Sequence, residues 1–401
     1  MPFWNDATYR AIRDSLTSGS VVDGSAISVL RSLIIETLEV EGAILCGSGS
    51  SALELALRAC GVGHGDEVII PAFCCSAIVP PVLALGALPV LADIGEELNL
   101  TGETVDAVIT KKTRAVIVPH LFGNPADINA IVELARGKNI RVIDDAAQAL
   151  GATVDGRSVG SFGDAGIVSF GNEKICFGLG GGAVVSSRQA LLDRDALNLS
   201  TAKSSLVMRQ LASTQICWRW RRWTLPLLTI LSRDKSAGPD ALPIPYRTET
   251  MANLQAAVAL SLMRSLRENI AARRARLSAY RDLLGGEDRL ELIPHRPGSA
   301  CLTQVVRVSP RDRGRDLASV LIAALGKSGY EIQGSYVPIH LLSCFDRCVW
   351  DRLPNADRFW LDLIELPCDP GVSLEDVERI STLVKKFLPA DAALRERTVS
   401  I

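Results

Sequence analysis

The sequence predicts an α/β fold: a large, mainly parallel sheet covered on both faces by helices, followed by a smaller C-terminal α/β domain. Two observations carry this. Between about residues 45 and 190, apolar strand-like runs alternate with amphipathic stretches, the pattern of repeated βαβ units. After about residue 300 the alternation returns, with a strand pattern at 302–308 and a helical one at 316–328. A chain of 401 residues is long enough for two domains. The expected division is 1–245 for the large domain and 246–401 for the small one.

In chain order, residues 1 to about 45 read as a lead-in with helical segments. Strands follow at 67–70, 88–91, 115–118, 141–143, 166–170 and 183–186, and helices at 51–60, 102–109 and 127–136. The stretch 68–92 carries no charge and is long enough to cross a bilayer. It holds Pro71, Pro80, Pro81, Gly86 and Pro89, so a strand, a loop, a short buried helix and a second strand describe it better. Residues 190–245 break the pattern with Trp218-Arg219-Trp220-Arg221-Arg222-Trp223 and a Pro/Gly-containing linker at 236–240. A long helical pattern then runs from 251 to about 284, its second half rich in arginine.

Composition narrows the function classes. Hydrophobic content of 48% and charged content of 22% describe a soluble globular chain. A net charge of −2 gives no field favouring nucleic acid. The ten cysteines are scattered, apart from Cys74-Cys75 and the loose pair Cys344 and Cys348. The four histidines, His64, His120, His295 and His340, stand far apart, so no metal site is expected. The N-terminus lacks a basic start and an apolar run. Reduced thiols and a cytoplasmic location are the expectation.

The chemistry concentrates around Lys174. An apolar run ends in Ser169-Phe170, and Lys174 and the glycine-rich Gly178-Leu179-Gly180-Gly181-Gly182 follow. Upstream, Val142-Ile143 ends in Asp144-Asp145. Ligands of such sheets sit beyond the carboxyl ends of the strands, where both Asp145 and Ser169 fall. An amine near a buried carboxylate suits an aldehyde cofactor with a ring nitrogen, which is pyridoxal 5'-phosphate: the lysine forms the Schiff base and the acid keeps the ring charged. The glycines are expected to let backbone approach a ligand closely. Neighbouring residues on a strand point to opposite sides, so only one of Asp144 and Asp145 faces the ring. Gly47-Ser48-Gly49-Ser50-Ser51 opens a helix whose amides and dipole can hold a phosphate; a capping box of Ser51 and Glu54 is the structural alternative. Gln148 either meets the cofactor's phenolic oxygen or pairs with backbone. His120 is expected to be structural, and His340 to be the better candidate for substrate contact. The Trp/Arg segment reads first as a domain or oligomer contact. A peripheral membrane helix over 216–231 comes second, and a surface for single-stranded nucleic acid a distant third.

Taken in order, these segments resemble the DegT–StrS family of sugar aminotransferases over most of the chain. Ser48-Gly49-Ser50-Ser51-Ala52-Leu53 is similar to that family's phosphate loop, and Gly61-Val62-Gly63-His64-Gly65-Asp66-Glu67 to the segment after it. Asp145-Ala146-Ala147-Gln148, Gly160-Ser161-Phe162-Gly163-Asp164, Ser169-Phe170 with Lys174, Leu254-Gln255-Ala256-Ala257 and Leu366-Pro367-Cys368-Asp369-Pro370-Gly371 follow in the family's order. The resemblance implies the fold-type-I aminotransferase architecture, with a seven-stranded sheet in the large domain, and a homodimer with the site at the subunit interface. It implies Asp145 on the pyridine nitrogen and Gln148 on the ring oxygen. Ser169 and the amides of Ser50 and Ser51 would hold the phosphate, and Lys174 would act as the covalent anchor and general base. The implied reaction moves an amino group from glutamate to a nucleotide-linked keto-sugar, in surface polysaccharide or glycoconjugate synthesis.

Two departures stand out. Cys74-Cys75 occupy the stretch where the family places an aromatic residue over the ring, which makes Cys75 a substrate-side candidate. Thr248-Glu249-Thr250 replaces an Asn-x-Arg element, which leaves Arg247 as a candidate for that contact. The alternatives are action on a non-sugar ketone, sugar dehydration (disfavoured because some relatives that dehydrate carry histidine at the position of Lys174), or a non-catalytic, cofactor-binding or membrane-docked regulator.

Overall fold

A computed structural model describes residues 4–171, 173–188, 199–219, 246, 248–308, 317–330 and 332–388. The strands of the first half are β1 (Gly42–Cys46), β2 (Glu67–Pro71), β3 (Leu88–Ala92), β4 (Thr113–Pro119), β5 (Arg141–Asp145), the short hairpin β6 (Thr153–Val154) and β7 (Arg157–Ser158), β8 (Ala165–Ser169) and β9 (Gly182–Ser186). Seven of them form one sheet in the order β1-β9-β8-β5-β4-β2-β3. Neighbours run parallel except at β9, which is antiparallel to both β1 and β8. Every residue of β1, β8 and β9 is buried. A sheet covered on both faces demands this, and it explains why the strands read as unbroken apolar runs.

The helices of this half are α1 (Asp6–Thr17), α2 (Ala26–Leu38), α3 (Gly49–Ala59), α4 (Val79–Ala84), α5 (Gly102–Asp106), α6 (Ile128–Gly137) and α7 (Ser204–Arg219). The uncharged stretch 68–92 folds as β2, a 3-10 turn, α4 and β3. No helix among the described residues is long and apolar enough to cross a membrane.

β1 is the strand absent from the sequence reading, which placed residues up to about 45 in a helical lead-in. Gly-Ala-Ile-Leu-Cys has no periodicity of its own. Its partners lie far along the chain, from Gly42 opposite Ser186 to Cys46 opposite Gly182. The expected capping box of Ser51 and Glu54 is also corrected. Ser48 is the N-cap of α3, and its side chain accepts the N–H of Ser51 at 3.1 Å. Glu54 instead accepts from Arg58 and, at 2.7 Å, from the hydroxyl of Tyr246.

The long pattern after residue 251 is two helices, α8 (Asn253–Met263) and α9 (Leu266–Leu284), separated at Arg264 and Ser265. α8 is buried on nearly all sides and packs on α1 and α2, so the large-domain core continues past residue 245. The remaining elements are β10 (Leu290–Leu292), β11 (Thr303–Val308), α10 (Leu317–Lys327), β12 (Gln333–Gly334), α11 (Pro354–Phe359), β13 (Leu363–Pro367) and α12 (Leu374–Phe387). Their antiparallel sheet runs β10-β11-β13-β12. The arginines of α9 tie this sheet to the rest. Buried Arg273 reaches Asp369 and the carbonyl of Leu302, each at 2.9 Å, and Arg276 bonds the carbonyls of Pro370 and Val372.

Candidate active site

The parallel strands end on one side of the sheet, and a cavity open to solvent lies beyond those ends. Gly49 and Ser50 open α3 after β1, and Cys74, Cys75, Ala77 and Ile78 come from the connection after β2. Pro119 ends β4 and Leu121 follows it. Asp145 ends β5, with Ala147 and Gln148 after it, and Ser169 ends β8, with Lys174 beyond. The strand order thus brings together residues that are far apart in the chain.

Asp144 and Asp145 divide as the strand alternation requires. Asp144 points away from the cavity and is fully buried. It accepts from Gly160 N–H at 2.7 Å, from Phe162 N–H at 2.8 Å and from His120 Nε2 at 2.6 Å. His120 Nδ1 accepts the N–H of Ala126 at 2.9 Å. That fixes the tautomer: Nε2 carries the proton and donates to Asp144. Both ring nitrogens are used inside the fold, and His120 does not line the cavity.

Asp145 faces the cavity, and its Oδ1 accepts the N–H of Ala147 at 2.9 Å. Burial raises its pKa above the usual carboxylate range, while the Ala147 N–H and the charge of Lys174 pull it back. A carboxylate so placed favours a cationic partner. Lys174 is half-buried on the same cavity, and among the described residues no hydrogen bond or ion pair engages its Nζ. Glu173 before it takes a left-handed conformation (φ 61°), uncommon outside glycine. This turn aims Lys174 at the cavity.

At the far end of the cavity, α3 presents its first amides. Ser51 N–H is spent on Ser48, and the Ser51 side chain is buried off the cavity wall. Ser51, expected beside Ser50 at a phosphate, therefore does not line the cavity, whereas Gly49 and Ser50 of the same segment do. A Cβ there would stand 2.7 Å from Ser169 Oγ, so only glycine lets Ser169 close on the helix start. The glycines after Lys174 serve packing and backbone shape rather than ligand approach. Gly180 and Gly181 have φ of 84° and 98°, and a Cβ on Gly182 would sit 2.8 Å from the carbonyl of Ser48. Gln148 Oε1 accepts the N–H of Phe122 at 3.0 Å, which leaves its NH2 group to serve the cavity as a donor.

Of the substrate-side candidates, Cys75 lines the cavity and His340 does not. His340 Nε2 pairs with Asp357 at 2.7 Å, and its ring lies 5.8 Å from that of Trp350. The 3-10 turn carrying it packs beside β2, where Ile339 N–H reaches the carbonyl of Ala72. Arg247 and residues 220–245 lie outside the described residues, and with them most of the Trp/Arg segment. Glu249 and Thr250 run beside the loop after β1: the Glu249 carbonyl accepts the N–H of Gly47 at 2.6 Å.

One residue with a shifted carboxyl has no sequence signal. Glu365, on β13, has its carboxyl pKa pushed up from 4.5 to about 7 by burial, with a smaller contribution from the charge of Glu173. Below about pH 4.5 the group is protonated in folded and unfolded chains alike. As pH rises to about 7 only the unfolded chain gives up its proton, so stability falls across that window and the loss is complete above it. Glu365→Gln removes the penalty. The variant is expected to gain at most about 3 kcal/mol at pH 8 and almost nothing at pH 4.5. Thermal unfolding at both pH values checks this, and an equal shift at both would refute it.

The comparisons with known proteins agree with this geometry. The model of the DegT/DnrJ/EryC1/StrS aminotransferase family matches residues 4–385. The chain belongs to this family. A GDP-perosamine synthase of Caulobacter vibrioides is 30% identical over 355 residues, 87% of this chain and 86% of that protein. A UDP-N-acetyl-3-dehydro-alpha-D-glucosamine 3-aminotransferase of Acidithiobacillus ferrooxidans is 39% identical over 197 residues, 47% of this chain and 53% of that protein. Among solved structures, the aminotransferase TlmJ from Streptoalloteichus hindustanus superposes with a TM-score of 0.76 at 26% identity, covering 98% of each chain. PseC of Helicobacter pylori, at 20% identity and a TM-score of 0.79, shares the fold. The family expectation and the seven-stranded architecture drawn from the sequence are thus both met.

Proposed function

We propose that the protein is a pyridoxal-phosphate-dependent aminotransferase that takes an amino group from glutamate and delivers it to the ketone of a nucleotide-linked sugar. The observation that carries this reading is the meeting of Lys174 and Asp145, from separate strands, in a cavity whose other end is a helix start beside Ser169. The donor set fits the cofactor: a buried carboxylate that favours a cation, an amine, and an anion site of backbone N–H groups and a hydroxyl. Bound there, the cofactor would supply an aldehyde for amines and a ring that draws electrons from the reacting carbon.

The chain's own residues do the rest. Asp145 would hold the ring nitrogen in its charged form. The N–H groups of Gly49 and Ser50 and the hydroxyl of Ser169 would hold the phosphate. Gln148, oriented by Phe122, would donate to the ring oxygen. Lys174 would hold the cofactor and move the proton at the donor's α-carbon. The acceptor class follows from the relatives, which include the GDP-perosamine synthase and the UDP-sugar enzyme named above. In keeping with the family, we place the enzyme in the cytoplasm as a homodimer.

Initial rates at several fixed concentrations of a nucleotide-linked keto-sugar, with glutamate varied, test the scheme. Parallel double-reciprocal lines are expected for two half-reactions sharing one cofactor. Intersecting lines would count against it.

A further inference from the structure

Among the described residues no aromatic side chain lines the cavity. Phe73, the nearest aromatic in sequence, is fully buried and packs on Tyr336 (ring centroids 5.9 Å apart) and Phe122 (6.3 Å). The wall after β2 is therefore aliphatic and thiol, and its two cysteines differ. Cys74 is buried, and its Sγ lies 3.5 Å from the carbonyl of Pro71 and 3.6 Å from that of Cys75. Cys75 is half-buried, heads the 3-10 turn Ser76–Ile78 and opens onto the cavity. β4 separates β2 from β5 in the sheet. Cys75 and Ala147 both line the cavity, entering it from strands that β4 separates.

We propose that Cys75 forms one face of the cofactor slot, and that it is a modification site for small soft electrophiles which the bound cofactor closes. The inference rests on the functional reading above. With the slot empty, the Cys75 thiolate meets an α-haloamide: the S–C bond forms, the C–I bond breaks, iodide leaves and the thiol proton goes to solvent. With the slot filled, the ring lies over the sulfur and the electrophile has no approach. Cys74 stays unreacted, because burial raises its thiol well above the ordinary range.

The test uses the full chain, stripped of cofactor and then incubated with or without pyridoxal phosphate. Absorption is recorded, iodoacetamide is added and the labelled peptides are followed by mass. The Cys75 peptide is expected to label in the stripped protein and to be slowed at least ~10-fold by saturating pyridoxal phosphate. Exposed Cys344 serves as the internal control and should label equally in both. Cys75→Ala should lose that adduct alone, with Cys344 labelled as in wild type. A visible band of lysine-bound cofactor with unchanged Cys75 labelling, or with no Cys75 labelling in either state, overturns the inference and leaves the functional reading standing. Neither band nor protection overturns both. Protection without the band upholds Cys75 and removes Lys174 as the anchor.

Discussion

Lys174→Ala is expected to lower turnover by ~10³–10⁴-fold, because it removes both the anchor of the cofactor and the group that moves the proton. No other amine lines the cavity among the described residues, so nothing within reach replaces it. Lys174→Arg separates the two demands of the site. It keeps a cation near Asp145, but a guanidinium does not give up its proton at working pH, so this variant should be as inactive as the alanine one. Neither substitution touches a packed core or a hydrogen bond among the described residues, and unfolding midpoints should stay near wild type. Rates with glutamate and a nucleotide-linked keto-sugar, together with the absorption spectrum after adding pyridoxal phosphate, check the expectation. Turnover within tenfold of wild type in Lys174→Ala would remove the residue from the chemistry.

The second large effect separates two adjacent carboxylates. Asp144→Ala leaves the N–H groups of Gly160 and Phe162 and the Nε2–H of His120 without their shared acceptor, the Gly160 and His120 contacts fully buried and that of Phe162 partly so. Removing a buried charged partner of this kind costs about 3–5 kcal/mol, enough to leave many domains of ordinary stability marginal. Asp145→Ala gives up one hydrogen bond, to Ala147, and relieves a carboxyl whose burial already works against its charge. Its fold should hold while cofactor retention and turnover collapse. Urea unfolding and initial rates on both variants decide the matter. An unfolding defect confined to Asp145→Ala, or a stable and inactive Asp144→Ala, would reverse the assignment.

That pair also shows how far the sequence could be read. Alternation along a strand requires Asp144 and Asp145 to face opposite ways, but it does not say which one meets the cavity. The choice depends on where Gly160, Phe162 and His120 come to rest, and those contacts cross from other elements. Ser51 shows the same limit in the opposite direction. The Gly-Ser-Gly-Ser-Ser run marks a helix start with free amides, yet the N-cap falls on Ser48. That choice spends the third amide of the helix and leaves Gly49 and Ser50 as the helix-start residues that line the cavity. The glycines after Lys174 mark a special backbone. Their reason is the close passage of Ser48 and α8, which no local pattern announces.

By itself the sequence determined the alternating strands and helices, the parallel sheet, the cavity at the strand ends, and Lys174, Asp145, Gln148 and Ser169 as residues that line it. Each of these follows from short-range regularities: periodicity, turn residues, and the placement of polar groups where apolar runs stop. The tertiary structure alone decided that β1 is a strand, that His340 pairs with Asp357 away from the cavity, that Cys75 and not Cys74 is the more open of the two thiols, and that burial raises the carboxyl pKa of Glu365. All four depend on which distant segments become neighbours, and burial and pairing across such contacts set conformation and charge more strongly than local preference does.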